Sequence, residues 1–393
     1  MSEKIYPLAS TTWDNLEIEA MQSVIASGQF TMGRHVKEFE REFADFFGSK
    51  YAVMSNSGSS ANLLALAAMR YSSRYDFGAR DEVIVPAVSW STTYYPVTQL
   101  GFKLKFVDIS LQTLNADLNQ VRSAINGKTA GILAVNLLGN PANLLELREL
   151  ADLHKIFFIE DNCESMGARV DGKFAGTFGD IGTFSTFFSH HISTMEGGVC
   201  LTDDLELAQV MTSMRAHGWT RELPAENLVF NKTGDSFDDL FRFILPGYNL
   251  RPLELSGAIG KEQLRKLPTL IEGRRKNAEI FMATFEGKDY LQLQVEHSES
   301  SWFGFSLILT GPLAGRRSEV VRHLNGIGID SRPIVAGNFT KNPVMTHLDH
   351  SELPALPNSD EIHENGLFVG NHHYEILGAI KALERALDHL AIS

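Results

Sequence analysis

Residues 183–198 read TFSTFFSHHISTMEGG, and this stretch decides how the whole chain is interpreted. Its first part is apolar and aromatic, as expected of a buried strand, and a polar turn ending in Glu196 and two glycines follows. We call residues 186–198 the elbow. His190 and His191 lie in it, and because adjacent side chains point apart, one of them faces the cleft at the strand end. An imidazole there is suited to acid–base chemistry near neutral pH.

Short apolar strands alternate with amphipathic helices around the elbow. The predicted strands are residues 51–54, 82–86, 104–108, 131–135, 156–161, 198–201 and 303–309. The predicted helices are residues 13–26, 36–47, 205–216, 317–325 and 374–392, with further helices opening near residues 60 and 91. This alternation predicts an α/β fold with a mostly parallel central sheet that is covered by helices on both faces.

The chain is long enough for two domains. We expect N-terminal helices and a large domain in residues 1–260, and a smaller C-terminal α/β domain in residues 261–393. Pro252 suits the first turn of a helix that continues through Gly257 and Leu264. A second alternation of strands and helices is expected beyond Pro268.

Composition excludes several classes of protein. The net charge of −13 argues against binding to a nucleic-acid backbone, although it permits a local phosphate site. Residues 1–7 contain no apolar stretch, so we expect no secretory signal, and no run of about 18 apolar residues predicts a membrane span. Cys163 and Cys200 are the only cysteines, which indicates a reducing compartment. We therefore expect a cytoplasmic protein.

Several polar residues lie where predicted strands end. Ser57, Gly58 and Ser59 stand between a strand and a helix, as in a phosphate cradle, but also as in an ordinary helix N-cap. Asp161 ends the most apolar strand, where open α/β sheets place ligands; it could pair with a pyridine nitrogen or cap the next helix. Trp90 could stack on a flat ring or belong to the core. The two histidines could alternatively bind a metal, but no third ligand at suitable spacing supports that.

Seven short motifs make the chain resemble the nucleotide-sugar aminotransferase family of fold type I vitamin-B6 enzymes, over nearly its whole length. They are FTMG at 30–33, SGS at 57–59, VPAVSW at 85–90, EDNCES at 160–165, the elbow, RAHGW at 215–219 and GYNLRP at 247–252. Alignment on Glu196, Gly197 and Gly198 puts His190 at the position where the family's aminotransferases carry the lysine that holds the cofactor. Histidine at this position is typical of the sugar 3-dehydratases within the family.

The resemblance implies a role for each matched residue. The cofactor is pyridoxal 5′-phosphate (PLP) or pyridoxamine 5′-phosphate (PMP). Gly58, Ser59 and Ser185 would bind its phosphate, with Asn249 reaching it from the neighbouring subunit of a homodimer. Trp90 would stack on the ring, Asp161 would pair with the ring nitrogen, and Glu164, which is glutamine in most aminotransferases of the family, would lie near the 3-hydroxyl. The residues expected to contact substrate are Gly28, Gln29, Phe30, Thr31, His217, Arg221, Arg251 and Asp330.

The resemblance also implies a reaction. Glutamate would convert PLP to PMP, and a GDP-linked 4-keto-6-deoxy sugar would then lose its C3 hydroxyl, with His190 moving the proton and with release of ammonia and 2-oxoglutarate. The product would serve a colitose-type sugar of lipopolysaccharide O-antigen.

Three other interpretations remain at this stage. A 4-aminotransferase would need some other lysine. A CDP-sugar 3-dehydratase would need clustered cysteines for an iron–sulfur cluster, and two distant cysteines do not supply them. A catalytically inactive sensor would bind the cofactor and regulate a partner.

Overall fold

The computed structural model describes residues 4–392. Of the N-terminal segment used above to judge a secretory signal, residues 1–3 therefore lie outside the described part of the chain. The strands are β1 Tyr51–Ser55, β2 Glu82–Pro86, β3 Lys103–Val107, β4 Thr129–Val135, β5 Phe157–Asp161, β6 Arg169–Val170, β7 Lys173–Phe174, β8 Ile181–Ser185, β9 Gly198–Thr202, β10 Leu291–Leu293, β11 Gly304–Leu309 and β12 Gly366–Gly370.

The helices alternate with these strands through most of the chain. They are α1 Asn15–Ser27, α2 Arg34–Phe47, α3 Gly58–Tyr71, α4 Ser91–Gln99, α5 Leu118–Ala124, α6 Leu144–His154, α7 Leu205–Arg215, α8 Ser236–Leu240, α9 Glu254–Phe285, α10 Arg317–Gly326, α11 Pro357–Asn365 and α12 Leu377–Ile392. Short 3-10 helices occupy Leu137–Gly139, Gly311–Leu313, Phe339–Lys341 and Pro343–His347. The last α-helix begins three residues later than predicted.

A seven-stranded sheet organises the larger part of the fold, in the order β1-β9-β8-β5-β4-β2-β3. The pairs from β8 through β3 are parallel, and β9 runs antiparallel to both β8 and β1. The predicted mostly parallel α/β sheet is thus confirmed. Strands β2, β4, β5, β8 and β9 are buried along their whole length, because helices cover both faces. Strands β4, β5 and β8 end at one edge, and their last residues meet there.

A second, antiparallel sheet of three strands, β10-β11-β12, lies in the C-terminal part. Its apolar core includes Phe281 and Phe285 of α9 and side chains of α10 and α12. The predicted domain boundary between residues 260 and 261 falls inside α9, which contributes to the cores of both parts. The division into 1–260 and 261–393 stays a prediction.

Helix α9 corrects one expectation. The second alternation was expected beyond Pro268, but the helix continues unbroken through this proline to Phe285. Proline removes one backbone hydrogen bond and costs about 3 kcal/mol inside a helix. Burial of the flanking Leu264, Leu267 and Leu270 offsets that cost, since each buried leucine contributes roughly 1.5–3 kcal/mol.

Candidate active site

A cavity of about 320 Å³ opens at the edge of the sheet where β4, β5 and β8 end. Seven of the residues predicted to bind the cofactor or to act in catalysis line it: Gly58, Ser59, Trp90, Asp161, Glu164, Ser185 and His190. They come from separate segments, which the sheet topology brings together because parallel strands end at a common edge.

The elbow is held by hydrogen bonds to its own backbone and to α9. Thr186 N–H donates to Gly197 O and Thr194 N–H donates to Thr186 O, both at 2.9 Å. Ser193 N–H donates to Oε1 of the buried Gln263, also at 2.9 Å. These contacts fix the turn that presents Phe187, Ser189 and His190 to the cavity.

The two histidines of the elbow have different surroundings. His190 lines the cavity, and its Nδ1 donates to Cys163 O at 2.7 Å, since a carbonyl only accepts. That bond leaves Nε2 with the free lone pair of the neutral ring. Burial lowers the pKa of His190 to about 4, so the ring is neutral at pH 7. His191 is buried, with Nε2 donating to Ser301 O at 3.1 Å, and does not line the cavity.

The Asp161 carboxylate is held by three donors at the end of β5. Its Oδ2 accepts from Asn62 Nδ2 at 2.8 Å and from Thr93 Oγ1 at 2.7 Å, and its Oδ1 accepts from Cys163 N–H at 3.2 Å. Three donors to the ionised form favour a carboxylate. The alternative that Asp161 caps a helix is wrong, because turns and the short β6 follow it.

Glu164 has a much poorer set of partners in the same cavity. Its Oε2 accepts from Leu138 N–H at 3.1 Å, and no ion pair with a lysine or arginine is found for it in the described chain. Burial, and after it the charge of Asp161, raises the pKa of Glu164 to about 7.

The Ser57–Ser59 turn is both a helix cap and a cradle. Ser57 Oγ accepts from Ser60 N–H at 3.1 Å at the start of α3, while Ser57, Gly58 and Ser59 all line the cavity. A Cβ on Gly58 would lie 2.5 Å from Ser185 Cβ, so only glycine fits between the two segments. Amides at a helix N-terminus, with serine hydroxyls beside them, suit a phosphate group.

The remaining predicted residues lie outside this cavity of their own chain. His217 and Trp219 are in ring contact at 5.2 Å, and the guanidinium groups of Arg221 and Arg251 lie 5.5 and 5.9 Å from the Trp219 ring. Asn249 pairs through its backbone with Ala216 next to this group. We call His217, Trp219, Arg221, Asn249 and Arg251 the Trp219 surface. The segment Gly28–Thr31 lies near this surface, because Thr31 pairs with Leu253, two residues after Arg251.

Asp330 does not itself line the cavity, but it is hydrogen-bonded to one residue that does, Leu8. Asp330 Oδ2 accepts from Lys4 Nζ at 2.6 Å and from Leu8 N–H at 3.3 Å. The contact of Asp330 with substrate stays a prediction, as do the substrate contacts of Gly28–Thr31 and of the Trp219 surface.

The described residues contain neither a metal-binding cluster nor a membrane-spanning helix. No group of three or more histidine, cysteine, aspartate or glutamate side chains there could hold a metal ion. Within the same residues no helix is both long and apolar enough to cross a bilayer.

Residues 11–375 match the DegT/DnrJ/EryC1/StrS aminotransferase family. The chain belongs to this family. GDP-4-keto-6-deoxy-D-mannose 3-dehydratase of Escherichia coli O55:H7 is 53% identical to it over 384 residues, covering 97% of this chain and 99% of that protein. Two solved structures of GDP-4-keto-6-deoxymannose-3-dehydratase each share 52% identity with a TM-score of 0.94, and cover 97% of this chain and 100% of theirs. One holds a trapped PLP–glutamate geminal diamine, and the other is a histidine-to-asparagine mutant with bound GDP-perosamine.

The residues that line the cavity fit PLP as a cofactor. The glycine-serine cradle suits a phosphate, the Asp161 carboxylate suits a protonated ring nitrogen, and Trp90, with 57% of its surface exposed, stands at the cavity mouth. Among the described residues that line the cavity there is no lysine.

Several residues that line the cavity were not predicted from the sequence. Phe303 has its ring 5.2 Å from that of His190, and Arg332 is the single cationic residue among the described lining residues. Leu8, Phe368 and Asn371 also line the cavity. Of these five residues, a local signal was available only for Arg332, which lies two residues from the predicted Asp330. Asn62, which also lines the cavity, could have been predicted from the sequence, since it follows Gly58 by four residues on α3 and so lies on the same helix face.

Proposed function

We propose that this chain is a lyase that removes the C3 hydroxyl of GDP-4-keto-6-deoxy-D-mannose and yields GDP-4-keto-3,6-dideoxy-D-mannose. PLP and PMP are its cofactors and L-glutamate is its amino donor; ammonia and 2-oxoglutarate are released. The observation that carries this conclusion is His190: in a chain 53% identical to such a dehydratase over 97% of its length, an imidazole lines the cavity that no described lysine enters.

The cavity residues divide the work of holding the cofactor. The amides and hydroxyls of residues 57–59, with Ser185, would bind the phosphate at the start of α3. Asp161 would hold the ring nitrogen in its protonated form, and Trp90 would cover one face of the ring. When bound, the cofactor supplies an electron sink for breaking bonds next to the carbon it is attached to.

His190 provides the proton transfer. Its Nδ1–H is engaged by Cys163 O, so Nε2 is free to accept a proton from carbon, and burial keeps the ring in the neutral form that can do so. An imidazole forms no stable Schiff base, so the cofactor would be retained by non-covalent contacts alone. For that reason an amino group need not be left on the sugar.

The alternative is a nucleotide-sugar 4-aminotransferase. That reaction would use a lysine at the cofactor, and none lines the cavity within the described residues. A 4-amino sugar as the main product would establish it.

The experiment that tests the proposed function is product analysis of wild type and His190→Asn with PLP, glutamate and either the GDP- or the CDP-linked 4-keto-6-deoxy sugar. We expect wild type to release the 3-deoxy product from the GDP sugar, and His190→Asn to lose at least about 10²-fold in rate. His154→Asn, at an exposed position at the end of α6, is the control. Unchanged turnover of His190→Asn would refute the role of His190.

We also propose that the enzyme is a homodimer with shared active sites. The Trp219 surface carries two guanidinium groups and lies outside the cavity of its own chain. Arginine recognises phosphate oxygens well, and the proposed substrate carries a diphosphate. This surface would therefore serve the partner's site, with Asn249 reaching the partner's cofactor phosphate.

The cellular setting follows from the same proposal. We place the enzyme in the cytoplasm, acting on a GDP sugar in the synthesis of a colitose-type dideoxysugar for lipopolysaccharide O-antigen, with no nucleic-acid or membrane partner.

A further inference from the structure

Two carboxyl groups face one cavity in this chain. Asp161 and Glu164 are three residues apart, and both line it. Two carboxylates that share an enclosed site repel each other, so one of them tends to keep its proton. Which one does so depends on the partners that each finds.

The hydrogen bonds assign the charge to Asp161. Its carboxylate accepts from two side chains and one amide, whereas Glu164 accepts a single hydrogen bond, from Leu138 N–H. Arg332, the single cationic residue among the described lining residues, is exposed and forms no ion pair with either carboxyl group in the described chain. The other titratable or charged residues that line the same cavity are Asp161, Cys163, His190, Glu196 and Arg332.

We propose that Glu164 carries a proton at neutral pH and is the acid that protonates the leaving C3 oxygen, while His190 is the base of the same reaction. This inference rests on the proposed function. It divides between two residues the acid and base roles that one imidazole would otherwise have to fill in succession.

The electrostatics of the cavity support this division. Burial raises the pKa of Glu164 to about 7 and lowers that of His190 to about 4. The pKa of a glutamate is ordinarily lower than that of a histidine, and here the order is reversed. Near pH 7 the neutral base and the protonated acid are therefore present together, which is the arrangement that paired acid–base catalysis requires.

The proton transfers balance within this pair. His190 Nε2 would take a proton from the cofactor carbon that carries the amino nitrogen, and the electron pair of that C–H bond would pass through the cofactor, when bound, to the sugar. The C3–O bond breaks and its electron pair leaves with oxygen, which receives the Glu164 proton and departs as water. His190 is then a cation and Glu164 an anion, and transfer of one proton from imidazolium to carboxylate restores both.

The test uses the full-length chain and its Glu164→Gln variant, which keeps the shape of the side chain but cannot give up a proton. Infrared spectra are recorded at pH 6 for wild type and Glu164→Gln, each with PLP and without it. The band of protonated carboxyl groups should be weaker in Glu164→Gln than in wild type. Glu272→Gln is the matched control, because Glu272 lies at an exposed position of α9 in an ion pair with Lys276, and it should leave the band unchanged. Equal bands in wild type and Glu164→Gln would overturn the assignment of the proton.

Kinetics test the role of that proton. In Glu164→Gln we expect dehydration to slow by about 10²–10⁴-fold. The half-reaction with glutamate, followed by the absorbance of the cofactor, should slow far less. Wild-type dehydration should also decline as pH rises through about 7, where Glu164 loses its proton, and Glu164→Gln should lack this step.

Glu164→Asp, which retains an acid, should recover part of the lost rate. Dehydration by Glu164→Gln at the wild-type rate would overturn the acid role, and so would equal losses in both half-reactions. Failure of the proposed function would look different, because wild type itself would then release no deoxy sugar.

Discussion

At the scale of single residues, binding of the cofactor should depend on how firmly Asp161 is held as a carboxylate. The two side chains that donate to its Oδ2, Asn62 and Thr93, are both buried. Neither needs to touch the cofactor to matter, because each stabilises the charged form that would pair with the ring nitrogen. Thr93 is in turn within 2.8 Å of Ser89 Oγ, so the carboxylate is anchored to the chain on both sides of Trp90.

Removal of the Thr93 hydroxyl tests this anchoring. Thr93→Val should weaken PLP binding by about tenfold or more, since a hydrogen bond to a charged group contributes about 1.5–3 kcal/mol. The dissociation constant is measured by absorbance titration. Thr98→Val, which removes a hydroxyl from the same helix α4 that donates only to Tyr95 O, should bind PLP as wild type does. Equal affinity in both variants would contradict the anchoring role.

At the scale of elements, α9 connects segments that are distant in the chain. Its first residue, the buried Glu254, accepts from Gly33 N–H at 2.7 Å and from His35 N–H at 2.6 Å at the start of α2. Helix α2 has no side-chain cap of its own. A carboxylate at a helix N-terminus satisfies amides that lack partners and interacts favourably with the helix dipole.

The cap provided by Glu254 should be measurable as stability. Glu254→Ala should lower the free energy of unfolding by about 2 kcal/mol or more, because the amides at the start of α2 lose a charged acceptor inside the protein. Urea denaturation monitored by circular dichroism gives the value. Glu262→Ala, further along α9, removes an ion pair with the exposed Arg265 and should change stability by less than about 1 kcal/mol. If both variants unfold alike, Glu254 is not the cap of α2.

The same elements show where sequence reasoning succeeds. Strands such as β2 and β5 were predicted because a short apolar run between turns, rich in β-branched or aromatic residues, indicates a buried strand. The path of α9 beyond Pro268 was not, because burial on both sides of the proline is a tertiary effect that a local rule does not contain. The capping of α2 by Glu254 was invisible for the same reason, since 221 residues separate Gly33 from its acceptor.

At the scale of the whole molecule, the site divides into a part that local motifs predict and a part that only folding assembles. The cradle, Asp161 and the elbow lie at strand ends, whose common edge follows from a parallel sheet. Phe303, Arg332 and Asn371 reach the cavity from the C-terminal part, and no pattern around them indicates a strand end of the central sheet. The Trp219 surface is a third part, and it lies outside the cavity of its own chain.

Active-site complementation tests whether that surface serves a partner subunit. His190→Asn and Arg251→Ala should each be nearly inactive, but mixed in equal amounts and allowed to exchange subunits they should recover about a quarter of wild-type activity. Half of the dimers are then mixed, and one of the two sites in each carries neither substitution. The control is a mixture of His190→Asn with Asp161→Asn, whose substitutions lie in the same cavity, so every site of a mixed dimer keeps one defect. Recovery confined to the first mixture would place Arg251 at the partner's substrate, whereas no recovery in either would mean that each subunit works alone.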